Sequence, residues 1–271
     1  LAEVLEPSIR LAEEGFAVPH DLANILASSP YKQRLTSNEA AAKSYYKSDK
    51  SNYKAGETLK LPDLAWTLKQ LAKYGPDAFY KGEIAKKIVQ EMERNQGLIS
   101  AEDLKSYKPV ERSPVEGTYK NFKIVSMPPA SSGGIHLIQM LNMLEAFPLK
   151  EMGFGSADSI HILAEVMKRA YADRSKYLGD MDFYDVPFSL MSKDYSSSLN
   201  KSISIKSITA SEDVFAGDPY PYESPDTTHF SVMDQYGNAV SNTYTLNFSY
   251  GSGIMIPGTG MLMNNEMDDF S

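Results

Sequence analysis

Thr227 stands at a change of sequence character and is the residue best suited to covalent chemistry. Residues 192–225 are polar, with serine and proline clusters, and predict an exposed connector, whereas the residues after Thr227 alternate like a β-strand. A threonine hydroxyl is a poor nucleophile unless a base removes its proton. When threonine is the first residue of its chain, its own α-amino group, with a pKa of about 7.7–8, acts as that base. The pattern therefore indicates a candidate N-terminal nucleophile.

An N-terminal threonine within a longer chain requires that the preceding peptide bond be cut. Attack of the Thr227 hydroxyl on the Asp226 carbonyl would give an ester by an N-to-O shift, and hydrolysis of that ester would free the new terminus. The Asp226–Thr227 bond is therefore the candidate autoprocessing junction. The alternative is that Thr227 is an ordinary threonine at the start of a strand.

The elements that follow Thr227 predict a β-hairpin. Residues 228–233 and 239–246 alternate on either side of a turn at 234–238. Glycines at positions 251, 253, 258 and 260 then indicate a second loop. The segment is thus β-rich and loop-rich.

The first two-thirds of the chain predict mainly helices. Apolar residues recur at helical spacing over 61–75, 84–97 and 135–146, and Ser100 opens a capping-box pattern. Residues 115–127 interrupt this series and predict a pair of strands. The chain therefore combines helices and strands.

A further helix begins at Ser156, which is a suitable N-cap. Glu165, Arg169 and Asp173 stand four residues apart along it and predict a series of charge pairs. His161, in the same helix, is interpreted as a packing or surface residue.

Composition excludes several classes of function. The 271 residues carry a net charge of −8, which argues against a nucleic-acid-binding surface. The absence of cysteine excludes disulfides, thiol nucleophiles and cysteine metal sites. The four histidines lack metal-ligand spacing, and no run approaches the roughly 20 apolar residues that span a bilayer.

The residues at both ends of the sequence predict that the chain is a piece of a longer protein. Residues 1–6 are acidic where a signal peptide would be basic, and residues 267–271 form no closing element.

Several motifs together resemble the gamma-glutamyltranspeptidases. The block after the junction carries the resemblance most specifically, with the motifs TTHFSVMD (227–234), GNAV (237–240), TYTLN (243–247) and GMLMNNEMDDFS (260–271). Upstream, residues 6–12, 75–82, 127–134 and 171–175 are similar to the large subunit of that family.

The resemblance implies an α+β fold. This is the αββα four-layer sandwich of the N-terminal-nucleophile hydrolases, with mostly antiparallel sheets, here incomplete at both ends. Residues 1–226 would be the C-terminal part of the large (α) subunit and residues 227–271 the N-terminal part of the small (β) subunit, intertwined in one fold.

The resemblance also implies roles for the candidate catalytic residues. Thr227 matches the family's cleavage point and nucleophile. Thr245 matches the threonine whose hydroxyl hydrogen-bonds the nucleophile and orients it. The alternative is that Thr245 is a β-branched strand residue with no catalytic role.

Three more residues match substrate-binding positions of the family. Asn247 matches a residue that contacts the glutamyl head group, although an asparagine here could simply form a turn. Glu266 and Asp269 match the acids that grip the substrate's α-ammonium group, and paired carboxylates suit a cation. Without the resemblance, these acids would belong to a solvated acidic run.

Two other features attract attention but receive no catalytic role. His229 is interpreted as a strand-packing residue because the family does not use it as a base. Residues 131–134 (SSGG) resemble an oxyanion or phosphate loop, yet this stretch matches the large subunit. The family's oxyanion glycines, its serine pair and its carboxylate-binding arginine would lie beyond the two ends. The chain alone is therefore expected to be inactive.

The function expected of the full-length protein is autoprocessing followed by acyl transfer without a cofactor. Its substrates would be glutathione and related γ-glutamyl compounds, with water, amino acids or peptides as acceptors. The protein partners would be the large and small subunits of one precursor, and the family implies a periplasmic or secreted location. The alternatives are a poly-γ-glutamate-processing enzyme, a glutaryl-amide acylase, or an uncleaved fragment that serves as a structural or binding module.

Overall fold

The computed structural model describes residues 1–216 and 228–267. The described chain divides into two compact units: one comprises residues 1–109 and 228–267, and the other residues 110–216. The Asp226–Thr227 junction and Asp269 lie outside the described residues.

Helices dominate the first unit. In chain order they are α1 (Ala2–Glu14), α2 (His20–Ala27), α3 (Ser29–Thr36), α4 (Glu39–Tyr45), α5 (Pro62–Tyr74), α6 (Pro76–Tyr80), α7 (Glu83–Arg94) and α8 (Ala101–Ser106). The capping box predicted at Ser100 is present: Ser100 Oγ accepts from the N–H of Asp103, whose carboxylate accepts from the N–H of Ser100. Helices α5 and α1 pack against each other.

Short antiparallel strand pairs complete the first unit. Strand β1 (Phe16–Ala17) pairs with β2 (Thr58–Leu59), β5 (Thr228–Met233) with β6 (Ala239–Tyr244), and β7 (Met255–Ile256) with β8 (Met261–Leu262). The predicted hairpin is confirmed. Its turn is held by the Asp234 carboxylate, which accepts from the N–H groups of Tyr236 and Asn238 at 2.8 and 2.9 Å.

Strand β7 joins the segment after the hairpin to the helical core. Met255 belongs to a buried cluster with Leu26, Leu35, Ala41 and Tyr46. The next residue, Ile256, belongs to a second buried cluster, formed with Ala78, Ile84, Ala85, Ile88 and Leu104. Because both side chains are at most 1% exposed, apolar burial fixes this segment against the helices.

The second unit is a strand pair packed on helices. Strands β3 (Val115–Tyr119) and β4 (Phe122–Ser126) are followed by α9 (Gly133–Leu144), α10 (Leu149–Met152), α11 (Ala157–Tyr177) and α12 (Lys193–Asn200). Two 3-10 helices, Phe188–Met191 and Ser211–Asp213, lie on either side of α12. Gly134 permits the start of α9 to approach β3 and the residue after β4, since a Cβ there would lie 2.6 Å from Val115 Cγ2 and 2.0 Å from the Met127 carbonyl oxygen.

The sequence misjudged part of the polar connector. Residues 193–200 form α12, capped by the Ser192 hydroxyl, which accepts from the N–H of Tyr195 at 3.1 Å. Tyr195 Oη donates to Asp173, and Asn200 Nδ2 donates to the Met143 carbonyl at 3.0 Å. These tertiary contacts stabilise a helix that polar composition alone does not indicate.

Of the charge pairs predicted along α11, the Glu165–Arg169 pair is confirmed and the Arg169–Asp173 pair is wrong. Arg169 Nη1 lies 2.8 Å from Glu165 Oε2, and both side chains are buried. Asp173 instead accepts from Gln139 Nε2 and, at 2.8 Å, from Tyr195 Oη. Burial raises the pKa of the Asp173 carboxyl, and these two neutral donors partly offset that effect.

The predicted α+β class with antiparallel pairing is confirmed. Across the described residues the strands form four separate two-stranded pairs rather than continuous sheets. Among these residues, no helix combines the length and apolarity needed to cross a bilayer.

Candidate active site

The pairing of β5 with β6 places the start of β5, which follows Thr227, opposite the end of β6, which precedes Thr245. Thr228, which follows Thr227, is the register partner of Tyr244, which precedes Thr245. The two strands remain paired from this point to Met233 and Ala239 at the turn. The open end of the hairpin is therefore where Thr245 lies.

Thr245 begins the loop after β6 and is exposed. Its Oγ1 accepts a hydrogen bond from the backbone N–H of Asn247 at 2.9 Å. This is a local turn contact of the kind that threonine hydroxyls make two residues ahead. It fixes the hydroxyl at the open end of the hairpin, so the position is compatible with an orienting role.

Asn247 is buried and adopts a left-handed backbone conformation with φ of +70°. Asparagine tolerates this region better than other side chains with a Cβ. Its Nδ2 donates to the carbonyl oxygen of Asn265 at 3.0 Å. Asn247 therefore forms the turn that the alternative interpretation described. Contact with a glutamyl head group stays a prediction.

Asn265 links the loop after β6 to the segment that carries Glu266. The sequence did not predict this role. Its N–H donates to the Leu246 carbonyl and its Oδ1 accepts from the N–H of Phe248, both at 3.1 Å. The preceding residue, Asn264, accepts through Oδ1 from the N–H of Glu266 at 2.9 Å. The Asn-Asn pair before the acid was the available signal, because asparagine side chains commonly bond nearby backbone groups.

Glu266 is therefore held in the same cluster as Thr245 and Asn247. Its side chain is half-buried, and the residue before it is bonded to the loop that carries Asn247. The structure brings three of the candidate site residues together. Thr227, Asp226 and Asp269 lie outside the described residues, so their positions stay predictions.

Arg34 on α3 is a second residue that the sequence did not reveal. Its Nη1 donates to the Gly251 carbonyl at 3.1 Å, and its guanidinium lies 5.6 Å from the centre of the Phe248 ring. A Cβ on Gly251, whose φ is +53°, would lie 2.3 Å from the Met263 carbonyl oxygen. These contacts hold the glycine-containing loop in one conformation beside the site.

Aromatic and hydroxyl contacts anchor the same segment at other points. Tyr250 makes an edge contact with Tyr45, with ring centroids 5.4 Å apart. Burial, and to a lesser extent the neighbouring Tyr45, raises the pKa of the Tyr250 hydroxyl well above its usual value. Thr67 Oγ1 donates to the Thr259 carbonyl at 2.7 Å in a buried contact. The segment that carries the site is thus bonded to α5 as well as α3.

The SSGG stretch has a structural role within the second unit. Ser131 Oγ accepts from the N–H of Gly133 at 3.3 Å, and Ser132 Oγ accepts from Arg174 Nε at 3.2 Å. Both serines thus lie at the start of α9 and make contacts within this unit. His161, interpreted as a packing or surface residue, has its Nε2 2.7 Å from the Ser204 carbonyl oxygen.

No group of three or more histidine or acidic residues within the described ranges could hold a metal ion. The described residues of the site offer the hydroxyl of Thr245, the amide of Asn247 and the carboxylate of Glu266. These groups suit the orientation of a nucleophile and the binding of a cationic substrate group.

Comparison with known proteins places this arrangement in context. The chain is 48% identical over 272 residues to the glutathione hydrolase proenzyme of Escherichia coli (strain K12), which covers 100% of this chain and 47% of that protein. It is 39% identical over 271 residues to the acylase ACY 1 proenzyme of Pseudomonas sp. (strain SE83), again over 100% of this chain and 47% of that protein. The chain spans about half the length of the curated relatives it matches.

The fold of the chain is also similar to that of a solved gamma-glutamyltranspeptidase. The crystal structure of Helicobacter pylori gamma-glutamyltranspeptidase matches 83% of this chain and 64% of its own, with a TM-score of 0.76 and 38% identity. This likeness confirms the fold that the sequence resemblance implied. The sequence model of the gamma-glutamyltranspeptidase family matches residues 1–271. The chain belongs to the gamma-glutamyltranspeptidase family.

Proposed function

We propose that the full-length protein is an autoprocessing threonine hydrolase and transferase that acts on γ-glutamyl amides such as glutathione. The observation that carries the proposal is the cluster of Thr245, Asn247 and Glu266 at the open end of the β5–β6 hairpin. Membership of the family and the name of the Escherichia coli relative support the substrate class.

Chain connectivity supports Thr227 as the nucleophile that Thr245 orients. Adjacent Cα atoms are about 3.8 Å apart, and paired residues of antiparallel strands are about 4.5–5.5 Å apart. Thr228 pairs with Tyr244, and Thr227 and Thr245 are the direct chain neighbours of these two paired residues. This pairing supports the proposal that the two threonines share a site.

The first reaction would be cleavage of the chain itself. Thr227 Oγ attacks the Asp226 carbonyl carbon, the C–N bond breaks, and the nitrogen keeps its hydrogen and takes the proton given up by the hydroxyl, becoming the α-amine of Thr227. Water then hydrolyses the new ester and leaves Asp226 with a carboxylate. The products are two subunits, 1–226 and 227–271, each extended by whatever the full-length protein adds.

The second reaction would use the amine that cleavage released. The α-amine of Thr227 takes the hydroxyl proton as Oγ attacks the γ-carbonyl of the substrate. The leaving amine takes that proton as its C–N bond breaks, and a γ-glutamyl ester remains on Thr227. Water gives glutamate, whereas an amino acid or peptide amine gives a new γ-glutamyl compound.

Recognition of the free α-ammonium distinguishes this function from its main alternative. Glu266 and Asp269 would accept charge-assisted hydrogen bonds from that ammonium, which are stronger than neutral ones. The similarity to an acylase proenzyme keeps glutaryl-type amides as the second candidate. A glutaryl chain has no α-ammonium, so the two substrate classes separate on these acids.

The test is an intact-mass spectrum of the full-length protein with N-terminal sequencing of any smaller product. We expect a new terminus at Thr227, no cleavage of Thr227→Ala, and partial cleavage of Thr227→Ser. Thr243→Ala, which removes an exposed threonine from the same hairpin, is the matched control and should cleave normally. Equal cleavage of the wild type and Thr227→Ala would overturn the nucleophile assignment. The periplasmic or secreted location is part of the same proposal, and cell fractionation tests it.

A further inference from the structure

A tight turn over residues 248–251 follows Asn247 and has an uncommon backbone conformation. It is closed by the N–H of Gly251, which donates to the Phe248 carbonyl at 2.7 Å. Asn247 and Tyr250 both have positive φ, +70° and +66°. Asparagine tolerates this region, whereas a tyrosine rarely adopts it. Such a backbone persists only where the surrounding contacts determine it, so the turn depends on its neighbours.

Arg34 on α3 contacts both ends of this turn. Its guanidinium carbon lies 5.6 Å from the centre of the Phe248 ring at the first end, and its Nη1 donates to the Gly251 carbonyl at 3.1 Å at the last. A guanidinium is attracted to an aromatic face and can donate hydrogen bonds from its edge at the same time. One side chain therefore fixes the first and last residues of the turn.

Arg34 is itself held in place. Its side chain is half-buried, and its guanidinium carbon also lies 6.0 Å from the centre of the Tyr31 ring. Tyr31 makes an edge contact with Tyr250, with ring centroids 6.2 Å apart. Gly253 approaches the aliphatic part of Arg34, since a Cβ there would lie 2.5 Å from Arg34 Cγ. The neighbouring Leu35 is fully buried, which anchors this part of α3 in the core.

The turn is bonded in turn to Asn247 and to the segment after β8. The N–H of Phe248 donates to Asn265 Oδ1 at 3.1 Å, and Asn247 Nδ2 donates to the Asn265 carbonyl at 3.0 Å. The N–H of Ser252 donates to the Met263 carbonyl at 3.0 Å. Loss of the Arg34 contacts should therefore displace the Asn247 amide without removing any group of the site.

We propose that Arg34 is a positioning residue of the active site, which fixes the turn over 248–251 and thereby places the Asn247 amide for binding of the glutamyl head group. The inference rests on the proposed function, in which Asn247 contacts that head group. It adds a residue on a separate helix that acts through Asn247. In this role Arg34 does not touch the substrate and takes no part in the acyl-transfer step.

The test is a double-mutant cycle on the full-length, processed protein, with kcat and KM measured for a γ-glutamyl anilide. Arg34→Met keeps the apolar stem and removes the guanidinium. We expect it to raise KM about 10-fold and to leave kcat within about 2-fold, because it removes a hydrogen bond from a charged group that serves binding. Arg34→Lys can keep both the hydrogen bond and the contact with Phe248, and should stay within about 3-fold of the wild type.

Asn247→Gly supplies the other side of the cycle. Glycine accepts a φ of +70° and removes the amide. In this background Arg34→Met should change KM by less than about 2-fold, because the group that Arg34 positions is gone. Arg10→Met is the matched control: Arg10 is an exposed arginine on α1 in the same unit, and its loss should leave KM unchanged.

The outcomes separate the two proposals. A wild-type enzyme that cleaves no γ-glutamyl anilide would refute the proposed function, and the positioning role would fall with it. If the wild type cleaves the anilide and Arg34→Met leaves KM unchanged, the positioning role is wrong and the function stands. Equal losses in the wild-type and Asn247→Gly backgrounds would also overturn it, since Arg34 would then act on the substrate directly or on the fold as a whole. If Arg34→Met is not processed, Arg34→Gln goes through the same cycle under the same criteria.

Discussion

The hydroxyl of Thr245 accepts the backbone N–H of Asn247 at 2.9 Å, so one side chain both shapes the turn after β6 and stands at the open end of the hairpin. This turn contains the buried Asn247, whose side-chain Nδ2 donates to the Asn265 carbonyl. A change at Thr245 should therefore affect both the geometry of the site and the orientation of the nucleophile.

Thr245→Val should lower kcat of the full-length enzyme about 100-fold, whereas Thr245→Ser should stay within a few-fold of the wild type. Valine keeps the branched shape but cannot accept the Asn247 N–H or orient a nucleophile, and misplacement near 1 Å can cost about that factor. The measurement is steady-state hydrolysis of a γ-glutamyl amide by protein that has been confirmed as processed.

Thr243→Val is the control for that variant, because Thr243 lies on the same strand two residues earlier and is exposed. It should retain wild-type kcat. If Thr245→Val retains wild-type kcat as well, the hydroxyl has only a local structural role and the strand-residue interpretation of Thr245 is correct.

Glu266→Gln should raise KM for γ-glutamyl substrates and spare glutaryl amides. Glutamine keeps the shape of the side chain but loses the charge that would bind an α-ammonium. Hydrogen bonds to charged groups are worth about 1.5–3 kcal/mol, so a roughly 10- to 100-fold loss in kcat/KM is expected. The check is the ratio of kcat/KM for a γ-glutamyl anilide to that for the matching glutaryl anilide.

Glu102→Gln is a suitable control for the change of charge, since Glu102 is an exposed acid on α8 in the same unit. A Glu266→Gln enzyme whose losses on the two anilides are equal would show that Glu266 does not bind the ammonium. The acylase alternative would then gain support.

The sequence predicted the elements around the site because local patterns determine them. The β5–β6 alternation, the Asp234 turn and the Ser100 cap each depend on residues within a few positions of one another. The α12 helix and the anchoring roles of Arg34 and Asn265 escaped prediction, since their contacts join residues that are distant in the chain or polar segments without apolar periodicity.

The Asp173 error has the same physical origin. Spacing of four residues made Arg169 its natural partner, but Arg169 is already engaged by Glu165 and by Ser202, whose carbonyl accepts from Nη2 at 2.7 Å. Asp173 therefore turns to Gln139 and Tyr195. Helical spacing states which residues are neighbours, while competition among tertiary partners decides which of them bond.

Glu165→Gln should destabilise the protein by about 3–5 kcal/mol, the usual cost of removing one partner from a buried ion pair. The Glu165 carboxylate is 1% exposed and accepts from Lys168, from Arg169 at 2.8 Å and from the N–H of Thr209 at 3.0 Å. Burial alone would raise its pKa, but these hydrogen bonds outweigh burial and hold the pKa of Glu165 at about 2. The measurement is the free energy of unfolding by urea at neutral pH.

The pH dependence provides a second test of the same network. Because the folded-state pKa is depressed below the ordinary glutamate value of about 4.3, the stabilisation from Glu165 is complete above that value and is lost as pH falls towards 2. The difference in unfolding free energy between the wild type and Glu165→Gln should thus be constant above about pH 5 and shrink below pH 4. Glu151→Gln, a change at an exposed acid on α10, should leave stability within about 0.5 kcal/mol of the wild type. A difference that stays constant down to pH 3 would mean that Glu165 titrates as it does in the unfolded chain, and that the ion pair contributes through shape rather than charge.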